Sequence, residues 1–310
     1  MKPRLLLCVP IILGMMLLAT VGCTEGAETS SSTADTTAAT APATDIYLAT
    51  LSAEDGELRI ETPRRLTTHA GYDNQPTFTP DGSAVLYTSV RAGQADTYRY
   101  TFADSTHRAV TTTPTSEYSP TPHEGGLSVV RVEEDGTQRL WQFDMEGTGP
   151  SLLLPGIQPV GYHAWATPTR VALYVLGDPA TLQLTELDAE AVDTLARDIG
   201  RSMHRVPGQS ATISFTQYTS DSTSSIQLFD TEAMASEPLV ETRAGGDFHA
   251  WTPDGRVLMA DGSALYQYNP DGAAGWQRVA DLSPLQGITR LAVSPDGRQL
   301  ALVAAEPASE

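Results

Sequence analysis

The chain is nearly free of cysteine and of lysine. Of 310 residues only Cys8 and Cys23 are cysteines. Everything after Cys23 therefore lacks a thiol and can form neither an internal disulfide nor a thiolate metal centre. Lysine occurs once, at Lys2, and 19 basic residues face 38 acidic ones. Such an acidic chain is a poor match for nucleic acid or an anionic lipid surface. Catalytic signatures are absent too. There is no G-x-S-x-G elbow, P-loop, H-E-x-x-H or EF-hand loop. The Asp-Gly pairs beginning at Asp55, Asp81, Asp135, Asp254, Asp261, Asp271 and Asp296 read as turns, with glycine supplying the positive φ. Glu133 and Glu134 lie beside one such turn and read as solvated.

What is present begins with the N-terminus. Lys2 and Arg4 precede an apolar run, Leu5 to Leu18, of the length of a signal-peptide core and short for a membrane span. The run ends in Ala19-Thr20-Val21-Gly22-Cys23, which resembles the lipobox of bacterial lipoproteins. The resemblance implies a signal peptide over 1–22 and diacylation of Cys23. Thr20 departs from the usual Leu, and the alternative is an ordinary cleaved signal with an incidental cysteine. Residues 23–44 are Thr, Ser and Ala with little to bury, a flexible tether. Thr24 after the cysteine is similar to the outer-membrane sorting pattern. The implied location is the cell envelope, lipid-anchored in the outer membrane and facing the periplasm. Cleavage would leave 17 arginines against 38 acids, a balance of −21. Solubility at high salt is one reading of that skew; a basic partner or cation binding is the other.

A phrase then repeats: FTPDG at 78–82, YHAWATP at 162–168, FHAWTPDG at 248–255 and VSPDG at 293–297. Aligned on the residue ahead of the turn, the anchors are Phe78, Pro122, Trp165, Val206, Trp251 and Val293. A period near 43 residues suits a four-stranded propeller blade. Each unit reads as a short first strand, a turn, an apolar second strand such as AVLYTSV or RVALYVL, and two half-polar strands. The stretch 186–200 has helical propensity, but the repeat register predicts strand–turn–strand. The sixth unit has only two strands, and DIYLATL (45–51) with ELRIETPRRLT (57–67) supplies the missing pair. The expectation is an all-β, six-bladed propeller of four-stranded antiparallel blades over 45–306. Its last blade would be closed by N-terminal strands, and 307–310 would form a tail.

FTPDGSAVLYTS, DIYLATL and PRRLTT together resemble the TolB-type propeller repeat over nearly all of 45–306. Units two to four carry HEGG, TPT and PGQ where the Pro-Asp-Gly turn is expected. The extra N-terminal α/β domain of TolB has no counterpart here. The resemblance implies an envelope scaffold that binds protein, and it specifies function poorly.

Propeller ligands gather where the outermost strand of one blade crosses to the innermost of the next. Those crossings gather Asp73, Asn74, Glu117, Tyr118, Tyr162, His163, Arg201, His204, Asp247, His249 and Arg290 at one channel mouth. Two residues before the anchors stand Pro76, Pro120, His163, His204, His249 and Leu291. Three successive histidines in one column admit three readings: a divalent-metal site, a metal-free polar funnel, or hydrogen bonds that lock blades together. Oligogalacturonate lyase, a similar repeat propeller with a His-rich metal site, lends the first some support. The leading expectation is a monomeric, non-catalytic scaffold for an envelope protein or peptide partner, touching the membrane only through its lipid and needing no cofactor. The alternative is a metal-dependent lyase or hydrolase of acidic carbohydrate, with Arg201 and Arg290 clamping carboxylates. A small-ligand sensor is a third possibility.

Overall fold

The computed structural model describes residues 42–54, 57–189, 192–220, 222–243, 246–272 and 275–306. The expected signal peptide, Cys23, the tether up to residue 41 and the tail 307–310 lie outside the described residues.

The described residues contain no helix and form six antiparallel sheets. Blade 1 runs outward as Asp73–Phe78, Ala84–Arg91, Gln94–Thr101 and Thr106–Ala109. Blade 2 follows as Ser116–His123, Gly126–Val132, Gln138–Phe143 and Ser151–Leu152. Blade 3 comprises Val160–Trp165, Arg170–Val175, Thr181–Glu186 and Asp193–Arg197, so 186–200 is strand–turn–strand. Blade 4 comprises Ile199–Arg205, Thr212–Ser220, Thr223–Asp230 and Ala235–Glu241. Blade 5 comprises His249–Trp251, Val257–Asp261, Ala264–Tyr268 and Gln277–Asp281. Blade 6 begins with Leu291–Val293 and Gln299–Ala305. The first strands of successive blades touch in a closed circle, the sixth returning to the first. The fold is a six-bladed β-propeller.

Burial follows strand position. Second strands are buried over most of their length, as at Ala84–Arg91 and Gln299–Ala305, and that of blade 4, Thr212–Ser220, is the most polar of them. Outermost strands are mostly exposed, as at Ala235–Glu241.

The ring closes as the sequence predicts. Thr44–Glu54 pairs antiparallel with Gln299–Ala305, from Thr44↔Ala305 to Thr50↔Gln299. The fourth strand of this blade differs from the expectation by breaking in two. Glu57–Ile60 and Arg64–Arg65 each pair separately with Thr44–Glu54. Pro63 lies in the break, where it cannot donate to a ladder. Buried Asp45 anchors the seam, 2.5 Å from Arg65 and accepting from Thr67 Oγ1 at 3.2 Å.

The Pro-Asp-Gly turns are built alike. Thr79, Thr252 and Ser294 each donate a hydroxyl to the following aspartate, at 2.7, 2.5 and 2.6 Å. The glycines after it take φ of +68°, +86° and +72°. Hydrogen bonds from Thr79 and Ser83 hold Asp81 down to about 2. In blade 2 the turn is carried by Gly126, at φ +125°, where a Cβ would sit 2.2 Å from the Phe143 carbonyl oxygen.

Candidate functional site

The register of the first strands decides what the histidines can do. Phe78, Trp165, Trp251 and Val293 pair with Val85, Val171, Val257 and Leu300. In blade 4 the residue in that position is Arg205, opposite Ile213. Val206 instead matches Thr79, Thr252 and Ser294, each of which opens the turn by donating its backbone N–H across it. The repeat anchor in this blade is therefore Arg205, and Met203 occupies the histidine column. His204 is one residue out of step and projects from the other face of its strand.

The three imidazoles accordingly lie in two separate seams. His163 lies between blades 2 and 3, with Nε2 2.7 Å from Ser128 Oγ. The same oxygen accepts from Trp165 Nε1 at 2.9 Å and donates to the Thr121 carbonyl at 3.0 Å. With the serine proton directed at Thr121, His163 Nε2 is the donor. Blade 5 repeats the device on blade 4: His249 Nε2 lies 2.8 Å from Ser214 Oγ, which accepts from Trp251 Nε1 at 2.8 Å. His204 packs edge-on to His249, ring centroids 4.8 Å apart, with Nε2 3.1 Å from Ser202 Oγ. Burial lowers His163 to about 3, helped by His123. Burial likewise lowers His204 to about 4 and holds His249 well below its ordinary value. Among the described residues no group of three or more His, Cys, Asp or Glu is placed to hold a metal ion. The repeated His-Ala-Trp thus reads as a blade-to-blade lock on a serine of the preceding blade. Ser128 and Ser214, its other half, were missed in the sequence because they lie 35 residues before each histidine, outside the phrase.

Other expected residues separate into buried and open sets. Asp73, Asn74 and Glu117 are buried at 1, 6 and 0% exposure and do not line an open mouth. Asn74 Nδ2 donates to Thr44 Oγ1, tying blade 1 to the closing strand. Glu117 accepts from Thr111 and Thr113, and Arg131 lies 3.7 Å away. Burial pushes Glu117 up to about 7 against those bonds. It raises Asp73 as well. Tyr118, Tyr162, Arg201, Asp247 and Arg290 remain at the mouth.

Each blade contributes one large side chain there, in order Tyr72, Tyr118, Tyr162, Arg201, Phe248 and Arg290. Tyr72 and Phe248 were not singled out in the sequence: a bulge between Asn74 and Thr77 shifts Tyr72 from the repeat column, whereas Phe248 stands three residues before Trp251, as Tyr162 does before Trp165 and Arg290 before Val293. Arg290 of blade 6 reaches across to blade 3, its guanidinium carbon 4.8 Å from the Tyr162 ring centroid and 4.2 Å from that of Phe248. Tyr72 shares the space with Arg290, Tyr162, Tyr118 and Arg201, and burial pushes its hydroxyl up to about 12. Around this ring Tyr162 packs on Tyr174, and Tyr218 donates to Asp247 at 2.5 Å. Tyr218 and Leu176 are large apolar groups left exposed, at 42 and 39%. Beyond the ring lies a channel cavity of about 690 Å³, running from Tyr162, Arg201, Phe248 and Arg290 to Pro80, Glu124 and Pro168 at the turn end.

Comparison with solved structures agrees with this architecture. A TolB protein of Agrobacterium tumefaciens superposes with a TM-score of 0.67 at 16% identity, over 86% of this chain and 99% of that one. The fold is that of the TolB-type propeller. TolB of Acinetobacter baumannii gives 0.55 at 13% identity, over 86% of this chain and 65% of that one. The same fold also serves an enzyme, an oligogalacturonate lyase in complex with manganese, with a TM-score of 0.55 at 16% identity over 83 and 85% of the two chains. Neither a protein-family model nor a curated relative matches the sequence. At these identities the likeness is one of fold.

Proposed function

We propose that the protein is a non-catalytic docking ring of the bacterial envelope, held by a lipid on Cys23, that binds a protein or peptide partner at the crossing mouth. The observation that carries this is the mouth itself. Tyr72, Tyr118, Tyr162, Arg201, Phe248 and Arg290 converge there, and Tyr218 and Leu176 stand exposed beside them. Tyrosine and arginine are the side chains that dominate the centres of protein interfaces. A rigid propeller presents them with little ordering cost. The TolB-type neighbours are consistent with an envelope role by analogy of fold. The ring acts as a monomer and does not engage nucleic acid.

The carbohydrate-lyase reading depended on three histidines meeting at one point. They occupy two seams and bond to serines, so the docking reading is preferred. Chemical cross-linking in the cell followed by capture of the protein tests it. A discrete partner is expected with the wild type and not with Leu176→Ser/Tyr218→Ser. Failure to capture any partner under cross-linking, or equal capture by the variant, argues against docking at this face.

A further inference from the structure

Charge is distributed unevenly between the channel and the rest of the molecule. The chain carries 38 acidic residues against 19 basic ones. Yet the cavity wall holds three arginines, Arg201, Arg205 and Arg290, and one acid, Glu124. Its buried imidazoles are neutral at pH 7. Seven other arginines lie within 4 Å of a carboxylate. Among the described residues none of the three channel arginines does. Asp247 influences Arg201 from farther off while accepting from Tyr218. A cationic channel in an anionic body focuses its field on anions.

The geometry of Arg290 adds chemistry to charge. Tyr162 and Phe248 meet the guanidinium through their rings, which leaves its in-plane N–H groups available. Those donors match a carboxylate in a two-pronged geometry. Arg201 is exposed beside it, and Arg205 lies nearer the turn end, so cations are spaced along the path. Between them the wall presents apolar Pro76, Pro120, Pro122, Ala164 and Leu291 alongside polar groups such as Ser119, Thr121 and Ser202. The Nε2 atoms of His163 and His249 are already used on serines. Thr121 and Ser202 are bonded within the protein, and the unpartnered Ser119 Oγ, His123 Nε2 and His163 Nδ1 are buried away from the cavity surface, so little is presented to the closely spaced hydroxyls of a uronate chain. The wall suits an extended peptide whose acids alternate with apolar groups.

We infer that the channel takes an acidic, extended peptide segment of the docking partner, with Arg201 and Arg290 holding one carboxylate at the crossing end and Arg205 a second toward the turns. This rests on the docking reading and specifies the chemistry of its ligand.

The test uses the full chain made from its own start and extracted in non-ionic detergent. Fluorescently labelled hexaglutamate, hexaglutamine and hexagalacturonate are titrated by anisotropy at low and high sodium chloride. Hexaglutamate is expected to bind at least tenfold tighter than hexaglutamine and to weaken with salt. Arg201→Gln/Arg290→Gln is expected to lose at least tenfold, and Arg290→Lys to retain part of the binding. If circular dichroism shows the double variant unfolded, Arg201→Gln alone carries the comparison, since that side chain is exposed. Equal binding of hexaglutamate and hexaglutamine, no effect of the arginine substitutions, or tighter binding of hexagalacturonate overturns the inference. A cellular partner captured equally by wild type and the arginine variant would keep the docking reading and overturn only the acidic-peptide assignment.

Discussion

Ser128→Ala removes one oxygen from the seam between blades 2 and 3. That oxygen accepts from both Trp165 Nε1 and His163 Nε2, at 2.9 and 2.7 Å. Trp165 and His163 are buried to 8 and 7% exposure, so water is poorly placed to replace it. Two buried donors are left unsatisfied, at about 1–3 kcal/mol each. The expected destabilisation is thus roughly 2–6 kcal/mol, a large part of the stability of a typical domain. Urea unfolding of the full chain, followed by tryptophan fluorescence, reads it as a lower midpoint at unchanged slope. Ser214→Ala should lose less, because Trp251 is only partly buried while His249 is fully so. Chelators should shift neither midpoint, since a lock made of hydrogen bonds needs no metal. A Ser128→Ala protein within about 0.5 kcal/mol of wild type would refute the reasoning, as would destabilisation by a chelator.

Glu117 should make stability depend on pH. Its folded pKa is raised to about 7 from the ordinary 4.5, so the folded state keeps a proton that the unfolded chain releases between those values. Stability therefore falls as pH rises through that window, by about 3 kcal/mol in full. Glu117→Gln should be more stable than wild type at pH 8 and equal to it near pH 4; a difference that does not vary with pH contradicts the assignment. Gly126→Ala should unfold at markedly lower urea, because its Cβ would meet the Phe143 carbonyl at 2.2 Å in a left-handed backbone; a near-neutral result would show that the turn can rearrange. Cys23→Ser should abolish incorporation of labelled palmitate in cells, and continued labelling would remove the proposed anchor.

Blade number, closure by the N-terminal strands and the strand nature of 186–200 were all legible in the sequence. Each follows from a repeat that every blade must satisfy in order to pack on its neighbours. Register within a blade was less legible. Aligning unit four on Val206 placed His204 with His163 and His249, and a one-residue slip turns a side chain to the other face. The signal that could have prevented this was present: Pro207 follows Val206 as Pro80 follows Thr79 and Pro253 follows Thr252. Aligning on that proline makes Arg205 the anchor. Asp73 and Glu117 were expected at the mouth because crossings are usually open, but both side chains are buried, Glu117 on the hydroxyls of Thr111 and Thr113. Arg290 reaching across to Tyr162 depends on side-chain length across a ring, which a linear repeat does not encode.

A photo-cross-linking amino acid placed in turn at position 218, on the crossing face, and at position 209, in a turn on the opposite face, tests docking most directly when each protein is irradiated in living cells. One discrete adduct is expected from position 218, with none from position 209. Adducts only from position 209, or none from either, would contradict the docking role of the crossing mouth.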